Sequence, residues 1–194
     1  MASPSAQESD HQLVKRVQKG DRRAFDLLVI KYQYKVQAVV SRYIKDSTEV
    51  LDVSQEAFIK AYRAIANFRG DSQFYTWLFR IAVNTAKNHL VSRSRRPPSE
   101  DIDYQEAEDY GVSDVLKDND GPEGEMFRSE LEKIVFDTMK ALPEDLRVAI
   151  SLRELEGLSY EEIAEIMECP VGTVRSRIFR AREAINEKIQ PLMD

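Results

Sequence analysis

The chain has 194 residues, 42% hydrophobic and 32% charged, with a formal net charge of −6 at pH 7. That length allows one medium domain or two small ones, and without a run of about 18 apolar residues it offers no membrane-spanning helix. The opening MASPSAQESDHQ has no basic stretch followed by an apolar core, so it does not read as a signal peptide.

Taken in order, Asp10 to Lys19 has Leu13, Val14 and Val17 at helical spacing, and Gly20 ends the run. Asp21 then caps a longer helix, about Arg22 to Tyr43, with Phe25, Leu28, Val29, Tyr32, Val36 and Val39 or Val40 inward. A break at Lys45 to Thr48 follows, where Asp46 and Glu49 are spaced as an acidic capping box. The next helix, reaching Ile65, turns Ala57, Phe58, Ala61 and Ile65 inward. It leaves Asp52, Gln55, Glu56, Lys60 and Arg63 outside. Asn67 to Gly70 is a loop, and Asp71 or Ser72 caps a fourth helix from Gln73 to about Ser92.

Between Arg69 and Arg96 the basic residues Arg69, Arg80, Lys87, Arg93, Arg95 and Arg96 stand against Asp71 alone. That is a net +5, interleaved with Phe74, Tyr75, Trp77 and Phe79. Two readings fit. One is an electrostatic groove with stacking faces for single-stranded bases. The other is an aromatic core under solvated arginines, and for Trp77 itself the core is the better fit.

Pro97-Pro98 stops that helix. The stretch from residue 97 to 125 holds eleven acidic residues and one basic, Lys117, with Gly111, Gly121, Pro122 and Gly124 and little periodicity. It reads as a flexible linker that alone carries −10, leaving a net +4 on the rest of the chain. An acidic total therefore does not exclude nucleic acid, because the location of the positive face counts for more. A run this acidic between basic modules is also placed to compete with DNA for them.

Glu125 to Met139 is helical again, with Leu131, Ile134, Val135 and Thr138 or Met139 inward. Leu142 to Asp145 turns into a further helix, Pro143 taking a first-turn place, and Gly157 suits a left-handed cap at its end. Ser159, followed three residues later by Glu162, forms a capping box for a short helix carrying Ile163, Ala164 and Met167. Pro170 then precedes the last helix, Val171 to Lys188, whose buried stripe is Val174, Ile178, Ala181 and Ile185. At about 100° per residue, Ser176, Phe179 and Glu183 point away from that stripe, Arg175 and Arg180 flank them, and Arg177 and Arg182 lie closer to the buried side. Two short helices, the second with an arginine-rich outer face, form a helix-turn-helix suited to the major groove. The turn carries Glu168 and Cys169 where many such turns have Gly.

Nothing alternates with period two long enough to build a sheet. The fold class is all-α: two small helical domains, residues 10–96 and 126–190, joined by an acidic linker over 97–125. The lone Cys169 allows no internal disulfide and points to a reducing compartment. His11 and His89 stand far apart with no cysteine cluster, so neither a metal nor another cofactor is expected.

Three segments together carry a family resemblance: DVSQEAFIKAYR from Asp52, FRGDSQFYTWLFRIAVN from Phe68, and LPEDLR from Leu142 with VGTVRSR from Val171. In order and spacing, over about residues 10 to 190, the chain resembles a bacterial extracytoplasmic-function sigma factor of the sigma-70 family. It is closest to the sigma-E/AlgU envelope-stress branch. The resemblance implies a protein that binds core RNA polymerase, at the β′ clamp helices and β flap, and directs it to promoters. The first domain (sigma region 2) would hold core polymerase through Asp52, Gln55, Glu56, Phe58 and Ile59. It would also open the −10 element through Asn67, Phe68, Arg80, Asn84 and Lys87. The second (sigma region 4) would read the −35 duplex through Thr173, Arg175, Ser176, Arg177, Phe179, Arg180 and Arg182, with Thr173, Arg177 and Arg182 touching backbone rather than bases. A membrane-anchored anti-sigma factor is a further implied partner of a cytoplasmic protein that is not itself membrane-inserted.

Two rival classes remain. A conventional helix-turn-helix regulator would bind DNA tightly on its own, usually as a dimer on a palindrome; no heptad seam stands out, and no obligate homo-oligomer is expected. A nucleic-acid enzyme would need clustered metal-binding carboxylates, a His/Cys constellation or a phosphate-cradling glycine loop. None is present in the sequence, so no catalytic residue is assigned.

Overall fold

The computed structural model describes residues 8–94 and 122–193, with the backbone alone at 122–130 and 192–193. Arg95, Arg96 and the acidic stretch through residue 121 lie outside the described residues. The chain divides into two compact units. The first holds α1 (Asp10–Gln18), α2 (Arg22–Val40), α3 (Ser47–Ala64), a 3-10 turn (Ile65–Asn67) and α4 (Phe74–Ser94). The second holds α5 (Pro122–Ala141), α6 (Glu144–Glu154), α7 (Tyr160–Met167) and α8 (Val171–Met193). No strand occurs among the described residues.

In the first unit each early helix begins on a side-chain cap. Ser9 and Gln12 make a reciprocal capping box on α1, one residue ahead of the start read from sequence. Asp21 accepts from the Arg23 N–H, and Asp46 from the Glu49 N–H at 2.9 Å. These bonds satisfy amides that a helix start leaves without partners. Gly20, at φ 94°, provides the left-handed residue between α1 and α2. The second helix ends at Val40 rather than Tyr43; Tyr43 and Ile44 are nonetheless buried, folded back under the turn. Gln73 accepts the first bond of α4, from the Trp77 N–H, so its cap falls later than Asp71 or Ser72. The core is built on Leu28, Val36, Val40, Val53, Leu78, Phe79 and Val83. Trp77 is buried there with Phe74, which settles the reading of those rings as core.

In the second unit α5 starts at Pro122, so four residues of the span read as linker, 122–125, are helical; a proline in a first turn gives up only an amide that has no helical partner. The Leu158 N–H donates back to Leu152 O across Gly157, at φ 68°, and both leucines are buried. This is the left-handed stop expected there. The last helix continues beyond Lys188 to Met193 and carries Pro191 in its final turn. Val174, Ile178 and Ala181 form its buried stripe, and Ala181 packs with Leu142 and Ile150, with Ile185 against them.

Candidate nucleic-acid interface

The helix-turn-helix is assembled by local bonds. Ser159 and Glu162 close the capping box on α7, the Ser159 N–H to Glu162 at 2.8 Å and the Glu162 N–H to Ser159 at 3.2 Å. Glu168 then adopts φ 53°, ψ 48°, the left-handed conformation. This is the position where other such turns use Gly, and here a residue with a Cβ is held in it. The Cys169 N–H returns to Ala164 O at 3.1 Å, and the Thr173 N–H bonds to Pro170 O at 2.9 Å, which starts α8.

With the stripe of α8 buried, its opposite face is fixed. Arg175, Ser176, Phe179 and Arg180 are all exposed, Phe179 at 61%. An aromatic ring between arginines thus presents most of its surface to solvent. The Arg175 guanidinium lies 5.9 Å from the centre of the Tyr160 ring, a cation–π distance. Thr173 is half-buried and accepts a bond at its carbonyl from Ser176 Oγ, 2.9 Å. Arg177 and Arg182 behave differently from their exposed neighbours. Arg177 reaches Asp145 of α6 at 2.5 Å and Cys169 Sγ at 3.3 Å. Arg182 holds Glu154 of α6 through two nitrogens, at 3.2 and 2.6 Å. The two arginines expected on the DNA backbone are thus tied to carboxylates of their own unit.

In the first unit Asn67 is exposed and Phe68 half-buried. The Phe68 ring rests on Trp77, centroids 4.9 Å apart, and on Phe74 at 6.1 Å. This loop is held by a residue absent from the sequence-based set: Gln18 Nε2 donates to both Ile65 O and Phe68 O, each at 2.9 Å. Nothing in the local pattern marks Gln18, whose partners lie 47 and 50 residues away. Arg80, Asn84 and Lys87 are half-buried and follow one another on one face of α4 at spacings of four and three. The Lys87 ammonium lies 6.0 Å from the Tyr43 ring centre.

On α3 the residues Asp52, Gln55, Glu56 and Ile59 are exposed, with Glu56 paired to Lys60 at 2.8 Å. Phe58 is not on this face. It is 9% exposed and packs edge-on to Phe25 at 6.5 Å, so it supports the face from behind. Leu51 and Tyr62, missed in the sequence, extend the exposed face at 47% and 40%. The signal available was a second apolar series, Leu51, Ile59 and Tyr62, opposite the buried stripe. Among the described residues no cluster of three or more His, Cys, Asp or Glu could hold a metal. None of the described helices is long and apolar enough to cross a membrane.

Comparison with known proteins places the chain in a family. Residues 28–96 match the model for Sigma-70 region 2, and residues 133–185 that for Sigma-70, region 4. The chain is 65% identical over 189 residues to the ECF RNA polymerase sigma-E factor of Escherichia coli, covering 97% of this chain and 98% of that one. It is 63% identical over 187 residues to the RNA polymerase sigma-H factor of Pseudomonas aeruginosa, covering 96% and 97%. Among solved structures, CnrH in complex with the cytosolic domain of CnrY matches at a TM-score of 0.65 and 26% identity, over 95% of this chain and 99% of that one. The chain belongs to the sigma-70 family, and within it to the extracytoplasmic-function RNA polymerase sigma factors.

Proposed function

We propose that this chain binds core RNA polymerase and splits promoter reading between its two units. The first, residues 10–96, takes polymerase and the melted −10 strand; the second, residues 126–190, takes the −35 duplex. The observation that carries the reading is the outer face of α8: Arg175, Ser176, Phe179 and Arg180, exposed together on a helix whose other side is locked into a core. Arginine fits guanine edges and phosphates in two-pronged fashion, and Phe179 supplies an apolar contact in the groove. The exposed Asp52, Gln55, Glu56 and Ile59 of α3 are the polymerase-facing set. Phe68 supplies a face for an unstacked base, Asn84 the amide donors and acceptors for its edge, and Arg80 and Lys87 the phosphate contacts.

The protein performs no chemistry of its own. Binding energy from duplex and captured bases offsets unstacking, about a few kcal/mol per flipped base, and polymerase does the catalysis. It works in the cytoplasm. The relative CnrH is solved with the cytosolic domain of CnrY, which supports an anti-sigma partner here too, under envelope stress.

In-vitro transcription with purified core polymerase, with and without the chain, tests the reading. Promoter-specific transcripts are expected only with the chain. Arg175→Ala or Arg180→Ala is expected to cost roughly 1–3 kcal/mol in a way that depends on the −35 sequence. Specific DNA binding by the chain alone, without polymerase-dependent transcripts, would instead make it a conventional regulator.

A further inference from the structure

On α8 the residues Arg175, Phe179 and Arg182 follow at spacings of four and three, so they share one strip, with Arg182 about 10 Å beyond Arg175 along the axis. By position Arg182 is the next basic group along the strip that carries two of the exposed contacts. It is held back by α6. Glu154 accepts from Arg182 Nε at 3.2 Å and from its terminal nitrogen at 2.6 Å. Tyr160, the first residue of α7, stands in the same cluster, with Arg153 at 5.1 Å and Arg175 at 5.9 Å from its ring centre. The Arg153 side chain in turn donates to Leu158 O at 2.7 Å, which ties it to the segment leading into α7. The Glu154 carboxylate raises the Arg182 guanidinium above its ordinary pKa, with a smaller contribution of the same sign from Tyr160.

We infer that Glu154 is a positioning residue that restrains DNA binding: it competes with backbone phosphate for Arg182, so that the second unit grips duplex through its reading face rather than through every arginine on α8. The inference rests on the proposed role of α8 at the −35 element. Its logic is electrostatic. Each phosphate neutralised steepens the salt dependence of binding but carries no sequence information, so an arginine freed to phosphate adds affinity equally on right and wrong DNA. The pair is half-exposed, at 50% and 47%, which places phosphate within competing range of the guanidinium rather than behind a buried barrier.

The experiment uses the full chain assembled with core polymerase and two duplexes: the upstream half of a promoter on which it initiates, and a shuffled duplex of equal length. Binding is measured across a salt series for the wild type, Glu154→Gln, Arg182→Gln and the double variant. Glu154→Gln is expected to steepen the slope of log K against log salt by about 0.9 on both duplexes, the value for one added phosphate contact. That corresponds to about a 3.5-fold greater loss of affinity over a fourfold rise in salt, and it leaves the ratio of promoter to shuffled affinity unchanged. In the Arg182→Gln background the same substitution is expected to leave the slope where Arg182→Gln alone puts it. An unchanged slope in Glu154→Gln overturns the inference. So does equal steepening in both backgrounds, which would mean that Glu154 merely repels DNA. A wild-type holoenzyme that does not separate the two duplexes refutes the underlying reading of α8 instead, before any variant is compared.

Discussion

Gln18 is a single side chain that joins the end of α1 to the loop after α3. Its Nε2 donates to Ile65 O and Phe68 O, the first bond half-buried and the second exposed. Alanine at this position removes both donors, a loss of about 1 kcal/mol for the half-buried bond and roughly 0.5 kcal/mol for the exposed one. For a helical unit of under a hundred residues, about 1.5 kcal/mol lowers Tm by roughly 6–12 °C. Gln18→Glu is the sharper perturbation. It keeps the shape, but a carboxylate only accepts, so it sets negative charge against two carbonyl oxygens. It is expected to cost about 2–3 kcal/mol, more than alanine. Trp77 is the chain's one tryptophan and its ring lies 4.9 Å from Phe68, so melting followed by its fluorescence reports this unit alone. Both variants are also expected to weaken binding of single-stranded −10 DNA at temperatures where the protein remains folded. Melting of Gln18→Ala indistinguishable from wild type, or Gln18→Glu no worse than Gln18→Ala, refutes the reasoning.

Asn84→Ala is expected to impair promoter opening, read by permanganate reactivity of the melted strand, while leaving core binding intact; loss of core binding would put Asn84 in the wrong role. Glu168→Gly is expected to be more stable than Glu168→Ala by about 0.5–1 kcal/mol, because both lose the Glu168 side chain, left-handed backbone costs a non-glycine residue about 1–2 kcal/mol, and the greater chain entropy of Gly offsets part of the relief. A urea midpoint for Glu168→Gly no higher than that of Glu168→Ala would refute that. Asp21 accepts two bonds from Arg16, at 3.0 and 2.7 Å, and the Arg16 hydrogen bond lowers its pKa from the ordinary 3.8. A carboxylate depressed on folding adds stability above its unfolded pKa and loses it as pH falls through the folded value. Asp21→Asn should therefore flatten the acid limb of the stability profile below about pH 4; an unchanged acid limb refutes the linkage.

The parts of the fold legible in sequence are those whose physics is local. Asp21, Asp46 and Ser159 announce helix starts because a capping oxygen reaches an amide two or three residues on. Gly157 announces a stop because left-handed backbone favours it. Helix ends that depend on tertiary packing were less legible. Tyr43 and Ile44 continue the apolar pattern of α2 yet belong to the turn beneath it, because burial alone does not distinguish a last helical turn from a segment folded back on the core. Phe58 and Ile59 differ in kind: helical spacing turns Phe58 inward, as the structure has it, while the family resemblance alone groups it with the exposed Ile59 in the polymerase-binding set.

The recognition helix shows how far residue counting goes. Arg175, Arg177, Arg180 and Arg182 contribute four charges to α8, and a count alone would treat them as one basic surface. Helical geometry separates them only in part: Arg177 falls beside the buried stripe, but Arg182, seven residues on from Arg175, shares its strip and is exposed like it. What it cannot supply is their partners. Asp145 and Glu154 lie 32 and 28 residues away and come into reach only because α6 packs against α8. Once they do, the basic surface of α8 falls from four arginines to two, and the two that remain unpaired with carboxylates flank Ser176 and Phe179. The charge that the fold withdraws is as informative about the reading face as the charge that it leaves exposed.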